Sequence, residues 1–274
     1  MDYQVLVLDL DGTLTNSKKE ITPATLEALI DIQKMGKKVV LASGRPTRGV
    51  VPLARQLHLS DYGSYILSFN GARITDCRSG EVMYNRCLPK DALPDVFRLA
   101  SAFAPGRRGH PDLHGRPHHL RGYIPTAYTQ LESGSTHMPS LERSDFLSAI
   151  PPQANKLLAT GEPEVISRMK DAMAQHFRSY LSIYCSDPFF LEIMPRGVDK
   201  AHALVKLLGS IGLSTEQMIC CGDGYNDITM IETAGLGVAM ANAQPPVLDS
   251  ADYITKSNDE DGVLHVINTF MRRS

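Results

Sequence analysis

Val5-Leu6-Val7-Leu8-Asp9-Leu10-Asp11-Gly12-Thr13 runs four apolar residues into two aspartates spaced i and i+2, and then into a glycine. A short unbroken apolar run reads as a strand buried on both faces, and the glycine lets the chain turn away sharply at its end. The strand therefore delivers two carboxylates to one edge of a sheet. Carboxylates held a few ångströms apart repel and raise each other's pKa unless a cation sits beside them. Asp9 and Asp11 are thus the expected centre of a metal and reaction site.

Working outward, Thr22-Pro23 reads as an N-cap with proline at the first helical position, followed by an apolar stripe of Leu26, Leu29, Ile30 and Met35 and a stop at Gly36. Val39-Val40-Leu41-Ala42 is a second apolar run, ending in Ser43-Gly44-Arg45-Pro46 before a helical stretch through Leu57. Strand, helix, strand, helix predicts βαβ units and a parallel sheet. Tyr65 to Phe69 forms a third strand, closed by the turn pair Asn70-Gly71. The pattern then changes to short hairpin-like pieces from Ala72 to Tyr84 and a stretch from Asp91 to Gly122 broken by four prolines. Regularity returns from Asn155, with a helix from Pro163 to Phe177 and an alternating run at Leu181 to Tyr184. After that come a helix opening at Val198-Asp199-Lys200, the strand Met218 to Cys221, and two more strands at Gly237 to Met240 and Tyr253-Ile254. The expected architecture is a Rossmann-like three-layer α/β core with a mainly parallel sheet over 1–82 and 190–274, and an inserted α+β domain over 83–189.

The 274 residues carry 28 Lys plus Arg against 30 Asp plus Glu, a formal charge of −2. That balance exerts no general pull toward nucleic acid or membrane surfaces. The 5 cysteines show no C-x-x-C spacing, which reads as reduced thiols and not as a disulfide framework or a zinc site. No stretch reaches the roughly 18 apolar residues of a membrane span, and Asp2 stands where a signal peptide carries basic charge. The expected location is cytoplasmic.

Three apolar strands end in polar clusters: Asp9 with Asp11, Ser43, and Asp223 with Asp227. Ligands of an open parallel sheet bind outside the carboxyl ends of its strands, so these clusters are expected to converge on one crevice. Carboxylate oxygens there suit a hard cation, Mg²⁺ before Zn²⁺. With Lys200 as a point cation and Ser43 as a hydroxyl donor, the crevice would accept a phosphate. Asp9 could attack a phosphoryl group in line, while Asp11 could protonate the departing alcohol and later deprotonate a water.

Asp9-Leu10-Asp11-Gly12-Thr13, Ser43 in Leu41-Ala42-Ser43-Gly44-Arg45, Lys200 in Gly197-Val198-Asp199-Lys200, and Gly222-Asp223-Gly224-Tyr225-Asn226-Asp227 resemble, in order, the four motifs of the haloacid dehalogenase superfamily of phosphohydrolases. Ser68-Phe69-Asn70-Gly71-Ala72 and the large insertion resemble the Cof-type branch, whose members carry a type IIB α+β cap. The resemblance implies Asp9 as nucleophile and Mg²⁺ ligand, Asp11 as acid/base and a ligand through its backbone carbonyl, and Asp223 as the remaining protein ligand. Ser43 and Lys200 would bind the transferring phosphoryl, with Gly44 and Asn226 beside them, Asp227 in support, and Arg45, Asn70 and Gly71 as substrate contacts. Because Asp11 is present, phosphate ester hydrolysis is favoured over cleavage of a carbon–halogen bond. The implied activity is an Mg²⁺-dependent phosphatase acting on a small phosphorylated metabolite, a sugar phosphate above others, through an aspartyl-phosphate.

Other readings compete. A calcium loop counted from Asp9 places Leu14 where glycine belongs, though Glu20 does fall at the twelfth position, and the run before it is a strand. A phosphomutase would return the phosphoryl to another substrate hydroxyl, and a receiver-like protein would keep Asp9 phosphorylated without turnover. Arg107 to Arg121 holds four histidines, but intervening glycines and prolines deny them a helical face for zinc. That segment reads as a solvated loop or as a cationic lip for anionic substrate.

Overall fold

The computed structural model describes residues 2–103, 112–115, 119–121, 127–128, 131, 140–142 and 146–272. The chain divides into two units, Met1–Tyr84 with Asp199–Ser274, and Asn85–Val198.

The larger unit is built on strands β1 (Val5–Leu8), β2 (Lys38–Ala42), β3 (Tyr65–Ser68), β4 (Arg73–Asp76) and β5 (Val82–Asn85). The inserted unit holds β6 (Asp112–Gly115), β7 (His119–Arg121), β8 (Ser140–Glu142), β9 (Leu157–Thr160), β10 (Leu181–Asp187) and β11 (Phe190–Pro195). The chain then returns to the larger unit with β12 (Met218–Gly222), β13 (Leu236–Ala239) and β14 (Tyr253–Ile254).

The large sheet has the order β14-β13-β12-β1-β2-β3-β4-β5, parallel from β14 to β3, with β4 antiparallel to β3. Alternation along β1 explains why it sits at the centre. Leu6 and Leu8 enter one apolar cluster, with the helices Pro23–Lys34, Thr47–Gln56 and Gly262–Val266 packed over it. Val5 and Val7 enter the other, covered by the helix Lys200–Ser210 through Ala203, Leu204, Leu207 and Leu208. All four residues of β1 are fully buried, so either face of the strand repays an apolar side chain, and the unit is a three-layer α/β/α sandwich.

Local signals hold where the chain decides alone. The Thr22 hydroxyl accepts from the Thr25 N–H, capping the helix at Pro23, and Asp199 caps the helix at Lys200 by accepting from the His202 N–H. The buried side of the first helix is Thr25, Ala28, Leu29, Ile32 and Gln33. Met35, expected in that stripe, is 55% exposed because it lies past the last helical turn, at the C-cap where the chain turns toward β2.

The insert is α+β, a six-stranded sheet of order β10-β11-β9-β6-β7-β8 with the helix Pro163–Phe177 packed on Leu157, Ala159, Leu191 and Ile193. Its boundaries differ from 83 and 189: they fall at 84/85 and 198/199. The reason is pairing, since β11 is hydrogen-bonded on both sides, to β10 and to β9. The proline-broken stretch nevertheless forms a helix at Leu93–Ser101, with Pro94 in its first turn, where no intrahelical N–H bond is lost. Of the Arg/His-rich segment, the structure describes only the backbone of Asp112–Gly115 and His119–Arg121. The roles expected of its arginine and histidine side chains lie outside the described residues.

Candidate active site

The order β12-β1-β2 sets three strand ends side by side, with Leu8 in register with Cys221 and with Leu41. Asp9, Asp223 and Ser43 each follow directly on those ends. The chain leaves β1 toward β2 on one side and returns as β12 on the other, which is the switch point where open α/β sheets bind ligands.

Lys200 lies at the bottom of the crevice. Its side chain is fully buried, and its Nζ donates at 2.5 Å to Asp9 Oδ1, at 2.5 Å to Asp227 Oδ1 and at 2.9 Å to the Ala42 carbonyl. Desolvation works against the ammonium, but the two carboxylates outweigh it and hold Lys200 above its ordinary value, so it is charged. Burial in turn pushes Asp9 up out of the ordinary carboxylate range, with Asp227 and Asp223 adding to the rise and Lys200 opposing it.

Asp227 is fully committed. Its Oδ2 accepts from the N–H groups of Asp223 and Gly224, both at 3.0 Å, while Oδ1 takes Lys200. Gly222 is required here, because a Cβ on it would stand 2.4 Å from Asp227 Cβ. Asp223 projects the other way: its Oδ1 accepts from Thr13 Oγ1 at 2.7 Å, and burial raises its pKa to about 6. Gly12 adopts φ +83, and a Cβ there would lie 2.2 Å from Asp223 Oδ2. The turn after Asp11 can therefore press against Asp223 only as glycine.

Among the described residues, Asp9, Asp223 and Asp227 each present a carboxylate oxygen within 4.8 Å of the others. Three carboxylates face one ammonium, a donor set of oxygens in excess of local positive charge, and this fits a hard divalent cation. Since both Asp227 oxygens are spent, Asp9 and Asp223 are the two with capacity left. The Asp11 side chain points elsewhere. Arg45 grips it in a fork, Nε to Oδ2 at 2.8 Å and Nη2 to Oδ1 at 2.7 Å, and Lys19 Nζ adds 2.9 Å to Oδ1. Partial burial favours its neutral form, but these two cations prevail and hold Asp11 below the usual carboxylate range. From Asp11 the cation pocket can use only the backbone carbonyl, and among the described residues no donor bonds that oxygen, whereas the carbonyls of Asp9, Leu10 and Gly12 are all taken.

Ser43 is buried, its Oγ accepting from the Arg45 N–H at 3.1 Å, and its carbonyl accepts from the Asn70 N–H at 3.0 Å. A Cβ on Gly44 would meet Asn70 Oδ1 at 3.1 Å. Asn226 Nδ2 donates to Asn70 Oδ1 at 3.1 Å, so these two join on the rim. Gly71, at φ +98, is buried with its Cβ position 2.3 Å from the Asp199 carbonyl; it packs against the cap of the Lys200 helix. Sequence reasoning passed over Thr13 and Lys19, whose partners are visible only in three dimensions. The N-terminal motif itself could have drawn attention to Thr13.

Known proteins resemble this chain over nearly its whole length. Residues 6–267 match the family model of haloacid dehalogenase-like hydrolases. A crystal structure of a haloacid dehalogenase-like hydrolase from Bacteroides thetaiotaomicron is 42% identical, covering 97% of this chain and 99% of that one, with a TM-score of 0.92. YxeH of Bacillus subtilis, a relative named for a phosphatase activity, is 33% identical over 97% of each chain. The 5-amino-6-(5-phospho-D-ribitylamino)uracil phosphatase YcsE of Bacillus subtilis is 29% identical, covering 97% of this chain and 95% of its own length. The chain belongs to the haloacid dehalogenase-like hydrolases, in their Cof-type branch, and it is a hydrolase of phosphoric monoesters.

Proposed function

We propose that the protein is an Mg²⁺-dependent phosphatase of small phosphorylated metabolites, working through an aspartyl-phosphate on Asp9. The observation that carries this reading is Asp9 itself, buried at a strand end with Oδ1 held by Lys200 and Asp223 alongside. Asp9, Asp223 and the Asp11 carbonyl would hold the ion, which when bound supplies positive charge that lets an anionic carboxylate approach an anionic phosphate.

In this reading Asp9 attacks phosphorus in line, and the bond from phosphorus to the ester oxygen breaks. The departing oxygen takes a proton from Asp11. A water then attacks the aspartyl-phosphate and gives its proton back to Asp11, the bond from phosphorus to Asp9 breaks, and inorganic phosphate leaves. Lys200, buried and cationic, offsets charge on the phosphoryl oxygens, with Ser43 and Gly44 beside it and Asn226 and Asn70 on the rim. Asp227 keeps Lys200 in place. Asp11 must carry a proton for its first task, and its two cations oppose that, so an incoming phosphate has to draw Arg45 or Lys19 toward itself. Arg45 thereby serves Asp11 before substrate arrives and the substrate afterwards.

A sugar phosphate is the favoured substrate class. Support comes from YcsE, whose named substrate bears its phosphate on a polyhydroxylated ribityl chain. Five free cysteines fit a reducing cytoplasm, and no helix among the described residues is long and apolar enough to cross a membrane. The test is phosphate release from sugar phosphates, nucleotides and an aryl phosphate, with Mg²⁺ or chelator. Activity should need Mg²⁺ and vanish in Asp9→Asn; an active Asp9→Asn enzyme refutes the assigned nucleophile, and isomeric sugar phosphate in place of free phosphate refutes hydrolysis.

A further inference from the structure

The turn that follows Asp9 is held from outside by two asparagines that the assigned chemistry leaves unused. Asn242 Nδ2 donates to the Gly12 carbonyl at 2.8 Å. Asn242 Oδ1 accepts from the Asn258 N–H at 2.9 Å, and Asn258 Nδ2 donates to the Thr15 carbonyl at 2.9 Å. Two residues after Asn242, the Gln244 N–H donates to the Asp223 carbonyl at 2.9 Å. The segment just past β13 therefore bonds both loops that bear the free carboxylates, the one after β1 through Gly12 and the one after β12 through Asp223.

The amide at 242 has no freedom to turn over. A backbone N–H can only donate and a backbone carbonyl can only accept, so position 242 must offer an acceptor on one side and a donor on the other. Asparagine meets both demands at this length, whereas aspartate would set a carboxylate oxygen against the Gly12 carbonyl. We propose that Asn242 is a positioning residue, oriented by Asn258, which fixes the distance between the Asp9–Thr13 turn and Asp223 and so the separation of the carboxylates that would share Mg²⁺. This inference rests on the reading of that site as a magnesium site.

Asn242→Asp and Asn242→Ala test it, through Mg²⁺ titration calorimetry on the protein without substrate and through the melting temperature without metal. Asn242→Asp adds negative charge beside an acidic pocket, so a purely electrostatic influence tightens Mg²⁺ binding. Positioning predicts weaker binding, by roughly tenfold, in both variants, since residues that orient metal ligands carry effects of that size. Metal-free melting temperatures should stay within about 3 °C of the wild type, as befits hydrogen bonds at an exposed residue. Unchanged Mg²⁺ affinity in both single variants, tighter binding in Asn242→Asp, or a metal-free melting temperature lowered by much more than 3 °C in both each overturns the proposal. Wild-type protein that binds no Mg²⁺ overturns the reading of the site, and the inference falls with it; a binding wild type with unaffected variants overturns the inference alone.

Discussion

Arg45 and Asp11 form a two-pronged ion pair, 2.8 Å from Nε to Oδ2 and 2.7 Å from Nη2 to Oδ1, across the crevice mouth between the ends of β1 and β2. A planar fork fixes the carboxylate's orientation as well as its charge, which a lysine cannot do.

If Asp11 is the proton donor, Arg45→Ala and Arg45→Lys should lower kcat/KM by about tenfold to a hundredfold, a fraction of the roughly 10²–10⁴-fold that general acid catalysis supplies. Lysine should restore little. The loss should be greater for an alkyl phosphate, whose alkoxide must be protonated, than for an aryl phosphate that leaves without help. Steady-state kinetics on the two substrates provide the comparison, and equal losses would show that Arg45 acts on phosphate binding alone.

Lys200 compensates two buried carboxylates at once. Lys200→Met should abolish phosphate release and destabilise the fold by about 3–5 kcal/mol at neutral pH, the cost of leaving buried charge unpaired. With Lys200 absent the carboxylates can be neutralised by protons, so the deficit should shrink as pH falls. Because the folded Lys200 pKa lies above its ordinary value, the wild-type contribution is complete at neutral pH and is lost only as pH rises past the alkaline range. Chemical denaturation of both proteins between pH 5 and 9 measures the difference.

Proton and metal should compete at Asp223, whose pKa is raised to about 6, and at Asp9, raised as well. Mg²⁺ requires both carboxylates ionised. Its affinity should therefore be weak at pH 5 and should strengthen through pH 6 and above, with proton release on binding. Without metal the sign reverses: a carboxylate raised in the folded state adds stability below its unfolded pKa, and that stability is lost as pH rises through the folded one. Melting curves with and without Mg²⁺ should diverge toward alkaline pH. Parallel curves would remove Asp223 from the metal site.

Gly12→Ala should lower the melting temperature by several degrees and weaken Mg²⁺ binding together. A positive φ costs an alanine about 1–2 kcal/mol, and the new methyl would meet Asp223 Oδ2. A variant that melts lower yet binds Mg²⁺ normally would separate the turn's conformation from the site.

Local features were legible in the sequence wherever short-range physics decides them. The Thr22 cap, the opening of a helix at Asp199-Lys200, the helix Pro163–Phe177 and the apolar run of β1 follow from side chains within a few residues of one another. The run Phe190–Pro195 could not be assigned in this way, because its place in the inserted sheet depends on pairing with two strands, one of them some thirty residues away. Met35 illustrates the same limit on a smaller scale: apolar periodicity continues to it, but the surface that would cover it does not.

By itself the sequence determined that two aspartates stand at the end of a buried strand, with Ser43 and Asp223 arriving at equivalent places and Lys200 opening a helix, since apolar runs, caps and the residues that end them are local facts. Only the tertiary structure decided what each carboxylate is free to do. Asp227 spends both oxygens on Lys200 and two backbone N–H groups, Asp11 is held by Arg45 and Lys19, and Asp9 and Asp223 keep capacity for a cation. The physical reason is that a carboxylate's role follows from the donors around its two oxygens, and those donors come from segments up to about two hundred residues apart that meet only when the sheet is formed.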